Sequence, residues 1–190
     1  MLDDNNLRMN KNIVTTPSLS FKEALCKAWS NLTNLKGRSR RSEFWWFMLV
    51  FYIALQIVSG ILSLFLPELA STVVQSILMG FAFAVTVRRL QDGGHSMLWV
   101  AISWVANLAL NVSLFASDEW TTFQATANPE DLIAVLTLPQ VALLGIVTTI
   151  TGLVTIVFCC MDGTPGPNKY GESPKYAVKQ DPASEATQTI

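Results

Sequence analysis

Gly37-Arg38-Ser39-Arg40-Arg41-Ser42-Glu43-Phe44-Trp45-Trp46-Phe47 decides how the rest of this 190-residue chain is read. Within a few residues it passes from arginines, through one carboxylate, into an aromatic wall, and an uncharged run over 48–66 follows at once. That order suits a chain entering a bilayer. Guanidinium groups stay with anionic headgroups, tryptophans rest at the interface, and apolar side chains cross the hydrocarbon.

Working outward, the stretches 44–66, 69–87, 96–116 and 141–161 each lack any Asp, Glu, Lys, Arg or His. Each is close to the roughly 20 residues a helix needs to span about 30 Å of hydrocarbon. Soluble helices seldom run so far without a charged face. Only 14% of residues are charged, against about a quarter in soluble domains. The expected fold is an all-α membrane protein with four transmembrane helices in two antiparallel hairpins. The turn at Pro67 is short enough to make the first two spans hairpin partners.

Charge sets the expected orientation. Of 13 Lys and Arg, eight precede Phe44, two are Arg88 and Arg89, and the other three follow Met161. The connections around Pro67 and over 117–140 hold none, yet carry Glu68, Asp118, Glu119, Glu130 and Asp131. Basic residues remain in the cytoplasm, so both termini and the loop 88–95 are expected inside. Cys26, Cys159 and Cys160 then meet a reducing compartment, and no disulfide framework is expected. Cys159-Cys160 reads as two small apolar residues filling a helix end.

Taken in order, 1–17 is polar and lacks a signal-peptide core, so an unstructured lead without cleavage is expected. Ser20 with Glu23 spells a capping box. Phe21, Leu25, Ala28, Leu32 and Leu35, widened by Trp29, make an apolar stripe for a short amphipathic cytoplasmic helix. That helix lies on the inner leaflet or packs on the bundle. The integral domain is expected over 18–174, followed by a disordered tail over 175–190. In the third span Trp99, Ser103, Asn107 and Asn111 recur every four residues, a face expected to point into the bundle. Asn128-Pro129-Glu130-Asp131 has the grammar of a helix start. A short outer helix, a break near Pro139 and the fourth span follow from it.

Candidate groups gather in three cytoplasmic stretches. The first holds Arg38, Arg40, Arg41 and Glu43, the second Arg88, Arg89, Asp92 and His95, the third Asp162, Asn168, Lys169 and Tyr170. Glu43 should reach Arg88 or Arg89 across the first hairpin. One reading is a set of ion pairs and anchors, with Phe44, Trp45, Trp46 and Trp99 at the interface. The other is an anion site, since arginine forks match phosphate. His95 with Asp92 falls short of a zinc site, no glycine-rich phosphate loop is present, and no cofactor is expected.

The blocks Gly37-Arg38-x-x-Arg41-x-Glu43-Phe44-Trp45-Trp46-Phe47, Arg88-Arg89-Leu90-x-Asp92-x-Gly94-x-Ser96 and Pro165-Gly166-x-Asn168-x-Tyr170-Gly171 together resemble the domain of unknown function 805 family. The resemblance covers roughly 21–174 and implies a small bacterial inner-membrane protein. The family's usual His after Arg-Arg-Leu is Gln91 here, and its Gly-Trp after Ser96 is Met97-Leu98, with Trp one place later.

The function expected is binding or structural, through the cytoplasmic Arg, Glu, Asp and Trp face. Its partners are the bilayer and anionic lipid headgroups, or a membrane protein or second copy; nothing points to nucleic acid. One alternative is a small channel or transporter using Ser103, Asn107 and Asn111. Another is an enzyme acting on phosphorylated lipid through Asp92 and His95.

Overall fold

A computed structural model describes residues 13–178. In chain order it holds β1 (Ile13–Thr15), α1 (Phe21–Trp29), α2 (Arg41–Phe65), α3 (Glu68–Asp92), α4 (Leu98–Phe115), α5 (Asp118–Thr126), α6 (Pro129–Thr137), α7 (Pro139–Cys160) and β2 (Tyr176–Val178). Four of these, α2, α3, α4 and α7, are long and apolar enough to cross a membrane. Helix α2 packs on α3, and α4 packs most extensively on α7. Helix α3 also touches α4 and α7 and is the most buried of the four.

Outward-facing positions stay apolar, as lipid contact requires. Ile53, Ile57 and Leu64 of α2, Val105 and Leu108 of α4, and Leu143 and Ile146 of α7 are all exposed on the protein surface. Tight packing is concentrated at one end. Phe44 and Phe47 from the start of α2, Val85, Val87 and Leu90 from the end of α3, Val100 from α4 and Cys159 from α7 form one cluster with Ala28 of α1. The core therefore sits where the arginine-rich stretch enters the bundle.

Helix α1 begins as its sequence predicts. Ser20 accepts a hydrogen bond from the Glu23 backbone N–H, and the Glu23 carboxylate accepts from the Ser20 backbone N–H in return. It packs on α2 with Ala24 and Ala28 fully buried. Of the two placements open to it, this is packing on the bundle. Phe21 and Trp29 remain exposed; Phe21 meets the edge of Trp46 at 5.2 Å between ring centroids.

Several expectations need correction. The chain ends are not wholly unstructured. Ile13–Thr15 pairs antiparallel with Tyr176–Val178, Val14 opposite Ala177, and the outer parts of 1–17 and 175–190 lie outside the described residues. The stretch Arg88–Asp92 is not loop but the last turn of α3, closed at Gly93. Phe44 is buried in the core, whereas Trp45, Trp46 and Trp99 are exposed. The connection over 117–140 folds into two helices, α5 capped by Ser117 and α6 capped by Asn128 with Pro129 at its first turn.

The polar face of α4 does not line one interior. Asn111 Nδ2 donates to the Asn107 side-chain oxygen at 3.1 Å and to its carbonyl at 2.8 Å, so these two satisfy each other along the helix. Asn107 is exposed. Ser103 alone of the three faces a cavity, between α2 and α7.

Candidate functional site

The three charged stretches converge at the packed end of the bundle. Asp92, in the last turn of α3, is the hub. Its Oδ1 accepts from Arg38 Nε at 2.9 Å, and its Oδ2 from Arg89 Nη1 at 2.5 Å. Its backbone carbonyl accepts from Thr164 N–H at 2.9 Å. Gly163 sits directly over this carboxylate, where a Cβ would run into the carboxylate oxygens.

Arg38 spends its whole donor set inside the protein. A guanidinium carries five N–H groups. Nε takes Asp92; Nη1 donates to the carbonyls of Gly166 at 2.7 Å and Gly171 at 3.3 Å; Nη2 donates to the carbonyls of Thr164 at 2.5 Å and Asp92 at 3.3 Å. Gly166 and Gly171 turn the chain at φ of 76° and 124°, a left-handed region that a side chain disfavours. The Gly- and Pro-rich segment after α7 is thus a backbone cradle around one arginine. Asn168 pins it, donating to the carbonyl of Gln91 at 3.0 Å and the Thr164 hydroxyl at 3.1 Å. Its Oδ1 accepts from Tyr170 N–H at 2.8 Å.

Arg89 closes the end of α7. Nε donates to the Cys159 carbonyl at 3.0 Å, Nη2 to that of Met161, and Nη1 to that of Ser39 at 3.3 Å. The last carbonyls of a helix have no partner within it and carry the negative end of its dipole. An arginine from a neighbouring helix answers both needs. Gln91 reaches the carbonyl of Leu35 at 3.0 Å and holds the segment after α1.

A second pair lies beneath α1. Arg88 Nη1 meets Glu43 Oε1 at 3.2 Å, as the hairpin implied, and Lys27 of α1 stands 3.8 Å from Oε2. The side chains of Arg38, Asp92, Arg89, Arg88 and Glu43 are at most 3% exposed. Removing one member of such a buried pair strands the other charge at a cost of roughly 3–5 kcal/mol. This layer is therefore a clasp. It joins α2, α3, α7 and the segment after α7; Arg38 is fully engaged within it, whereas Nε and Nη2 of Arg88 are buried without a hydrogen-bond partner.

Arg41 differs. It is 44% exposed, with Nη2 at 2.7 Å from Asp162 Oδ1 and Nη1 donating to the Cys160 carbonyl at 3.3 Å. Lys175 shares Asp162 Oδ1 at 2.8 Å. The hydrogen bond from Lys175 holds the Asp162 carboxyl below its usual range, with Arg41 adding to the effect against slight burial. The same bond pushes the Lys175 ammonium up.

Of the predicted residues, Arg38, Glu43, Arg88, Arg89, Asp92 and Asn168 are brought together in the clasp, Arg41 stands at its rim, and Tyr170 touches it only through its backbone. The expectation that Arg38 could meet a headgroup is corrected by its burial. His95 stacks on Phe158 at 3.8 Å between centroids rather than joining Asp92. Ser39, Gly163, Thr164 and Lys175 went unpredicted. Gly163 beside Asp162 was the one legible sign, a glycine three residues beyond the end of α7.

Four apolar spans fastened at one end by buried ion pairs define an integral membrane protein. Residues 32–172 match the family described as protein of unknown function DUF805, and the chain belongs to that family. It is similar to inner membrane protein YhaI of Escherichia coli (strain K12), 28% identical over 149 residues covering 77% of this chain and 90% of the relative. It is also similar to inner membrane protein YhaH of the same strain, 29% identical over 156 residues covering 78% and 93%. No solved structure matches.

Proposed function

We propose that this chain is a binding protein of the bacterial inner membrane, with both termini in the cytoplasm, that recognises anionic lipid headgroups at the rim of its clasp. One observation carries the reading. Among the arginines of the clasp and its rim, Arg38, Arg88 and Arg89 are buried, whereas Arg41 is 44% exposed and shares a single carboxylate with Lys175. Two cations against one carboxylate leave positive charge at the level of the headgroups. The clasp is the support that holds this rim in place, and no catalytic step is assigned to it. With Asn107 exposed and bonded to Asn111, nothing favours the channel reading.

The test is lipid retention. Protein extracted from membranes containing phosphatidylglycerol and phosphatidylcholine is expected to keep the former in excess. Each basic residue near an anionic surface is worth about 1 kcal/mol, so Arg41→Gln with Lys175→Gln should cut that excess several-fold. An unchanged lipid ratio in the double variant would sink the reading.

A further inference from the structure

We infer that the space between α2 and α7 holds one acyl chain of an anionic phospholipid, with its phosphate at Arg41 and Lys175. The inference rests on the headgroup reading above and adds to it a built site for the chain.

Helices α2 and α7 are not among the closely packed pairs. Between them lies a cavity of about 510 Å³, walled by Trp45, Leu49 and Tyr52 of α2 and by Gly152 and Ile156 of α7. Its back is formed by α3 and α4. Of the hydroxyls that line it, two are turned away: Thr86 donates to the Ala82 carbonyl at 2.7 Å and Thr155 to that of Thr151 at 2.8 Å, each along its own helix. With only Ser103 and Tyr52 left to present a hydroxyl, the lining is predominantly apolar. Trp45, Leu49, Tyr52 and Ile156 are each about half exposed, so the space opens sideways, where the membrane would be.

The mouth carries the charge. Arg41, Trp45, Leu49 and Tyr52 follow one another at helical spacing on one face of α2, which puts Arg41 at the end of the groove. From α2 it reaches the Cys160 carbonyl and Asp162 at the end of α7, so its guanidinium bridges the two walls. Arg41 to Tyr52 spans roughly 16 Å at 1.5 Å per residue. That is close to half of a hydrocarbon layer about 30 Å thick, the depth of one leaflet. A partner helix, about 10–12 Å across and crossing both leaflets, has no such fit. The volume lies within the roughly 300–1,000 Å³ of small-molecule sites.

Trp45 and Trp104 line this cavity, which provides a direct readout. The full chain is placed in phosphatidylcholine nanodiscs carrying, at equal mole fraction, either chain-brominated phosphatidylglycerol or chain-brominated phosphatidylcholine. Brominated phosphatidylglycerol is expected to quench tryptophan fluorescence more strongly. That excess should vanish in Gly152→Phe, where a Cβ meets only Ser103 Oγ at 3.9 Å and the ring enters the groove away from the clasp. Thr155→Phe, filling the same space from one turn nearer the mouth, is the second variant should the first fail to fold. Arg41→Gln should reduce the excess several-fold. Equal quenching by the two lipids, or an excess that survives both plugging variants, overturns the inference. If the plugging variants leave quenching unchanged while Arg41→Gln still lowers phosphatidylglycerol retention, the groove falls and the headgroup reading stands.

Discussion

At the residue scale, Gly163 and Asp92 illustrate how one position can be dictated by another some 70 places away in the chain. The Asp92 carboxylate lies between the guanidinium groups of Arg38 and Arg89, and it occupies the space where a Cβ of residue 163 would stand. Gly163→Ala must therefore push the carboxylate off both arginines or lift the segment after α7 away. Overpacking of this kind costs about 1–3 kcal/mol, and loosening of the ion pairs adds to it. Thermal unfolding of the detergent-solubilised protein should show a clearly lowered midpoint. A midpoint within a degree of the parent would mean that the carboxylate moves freely and the clasp is not tight. The pairing of Glu43 with Arg88 was legible beforehand, because the short turn at Pro67 folds α2 back on α3 and brings their far ends together, and complementary charges suit opposite helix ends. The backbone cradle of Arg38 was not, because carbonyl acceptors carry no mark in the sequence.

At the element scale, the last turn of α3 is where sequence and structure diverge most. Arg88, Arg89, Gln91 and Asp92 have the composition of a loop, yet they continue the helix and are buried. Long-range partners offset the desolvation, and a local reading of the chain cannot see them. The strands β1 and β2 escaped for another reason: three residues are too few to establish a period of two. Helix α5 had its N-cap and two acids in plain sight at Ser117, Asp118 and Glu119, signals read only for α6. The tie from Asp162 to Lys175 links α7 to the segment entering β2, and its pH dependence can be worked out by sign. A carboxylate with a lowered folded pKa stabilises the fold above its unfolded value, near 3.9, and loses that contribution as pH falls through the lower one. A lysine with a raised pKa contributes fully below its unfolded value of about 10.4 and loses it only above that. Hydrogen-exchange protection of Tyr176–Val178 should thus be level between about pH 5 and 7 and fall below about pH 4. Since Asp162 is half exposed, the drop should be modest. Asp162→Asn should start lower and lose the acid step; a step of unchanged size would assign the effect to other carboxylates.

At the scale of the whole molecule, the four spans were legible because run length and charge absence are properties of the chain itself, whatever it packs against. The remaining question is which side the clasp faces. The pairing of β1 with β2 brings the two ends of the described chain together, as four crossings require. The basic residues among the described ones fall on the same side: six before Phe44, Arg88 and Arg89 at the end of α3, and Lys169 and Lys175 after Met161. Burial of Arg88 and Arg89 does not weaken this argument. Orientation is decided while segments enter the bilayer, before distant partners have met, and it responds to Lys and Arg in short flanking segments whatever their later environment. A fluorescent protein fused after Ile190 should therefore fluoresce, and alkaline phosphatase fused there should be inactive. Phosphatase inserted at Ala127, between α5 and α6, should be active. The opposite pattern at both positions would place the clasp outside, and with it Arg41 and Lys175 against the wrong leaflet.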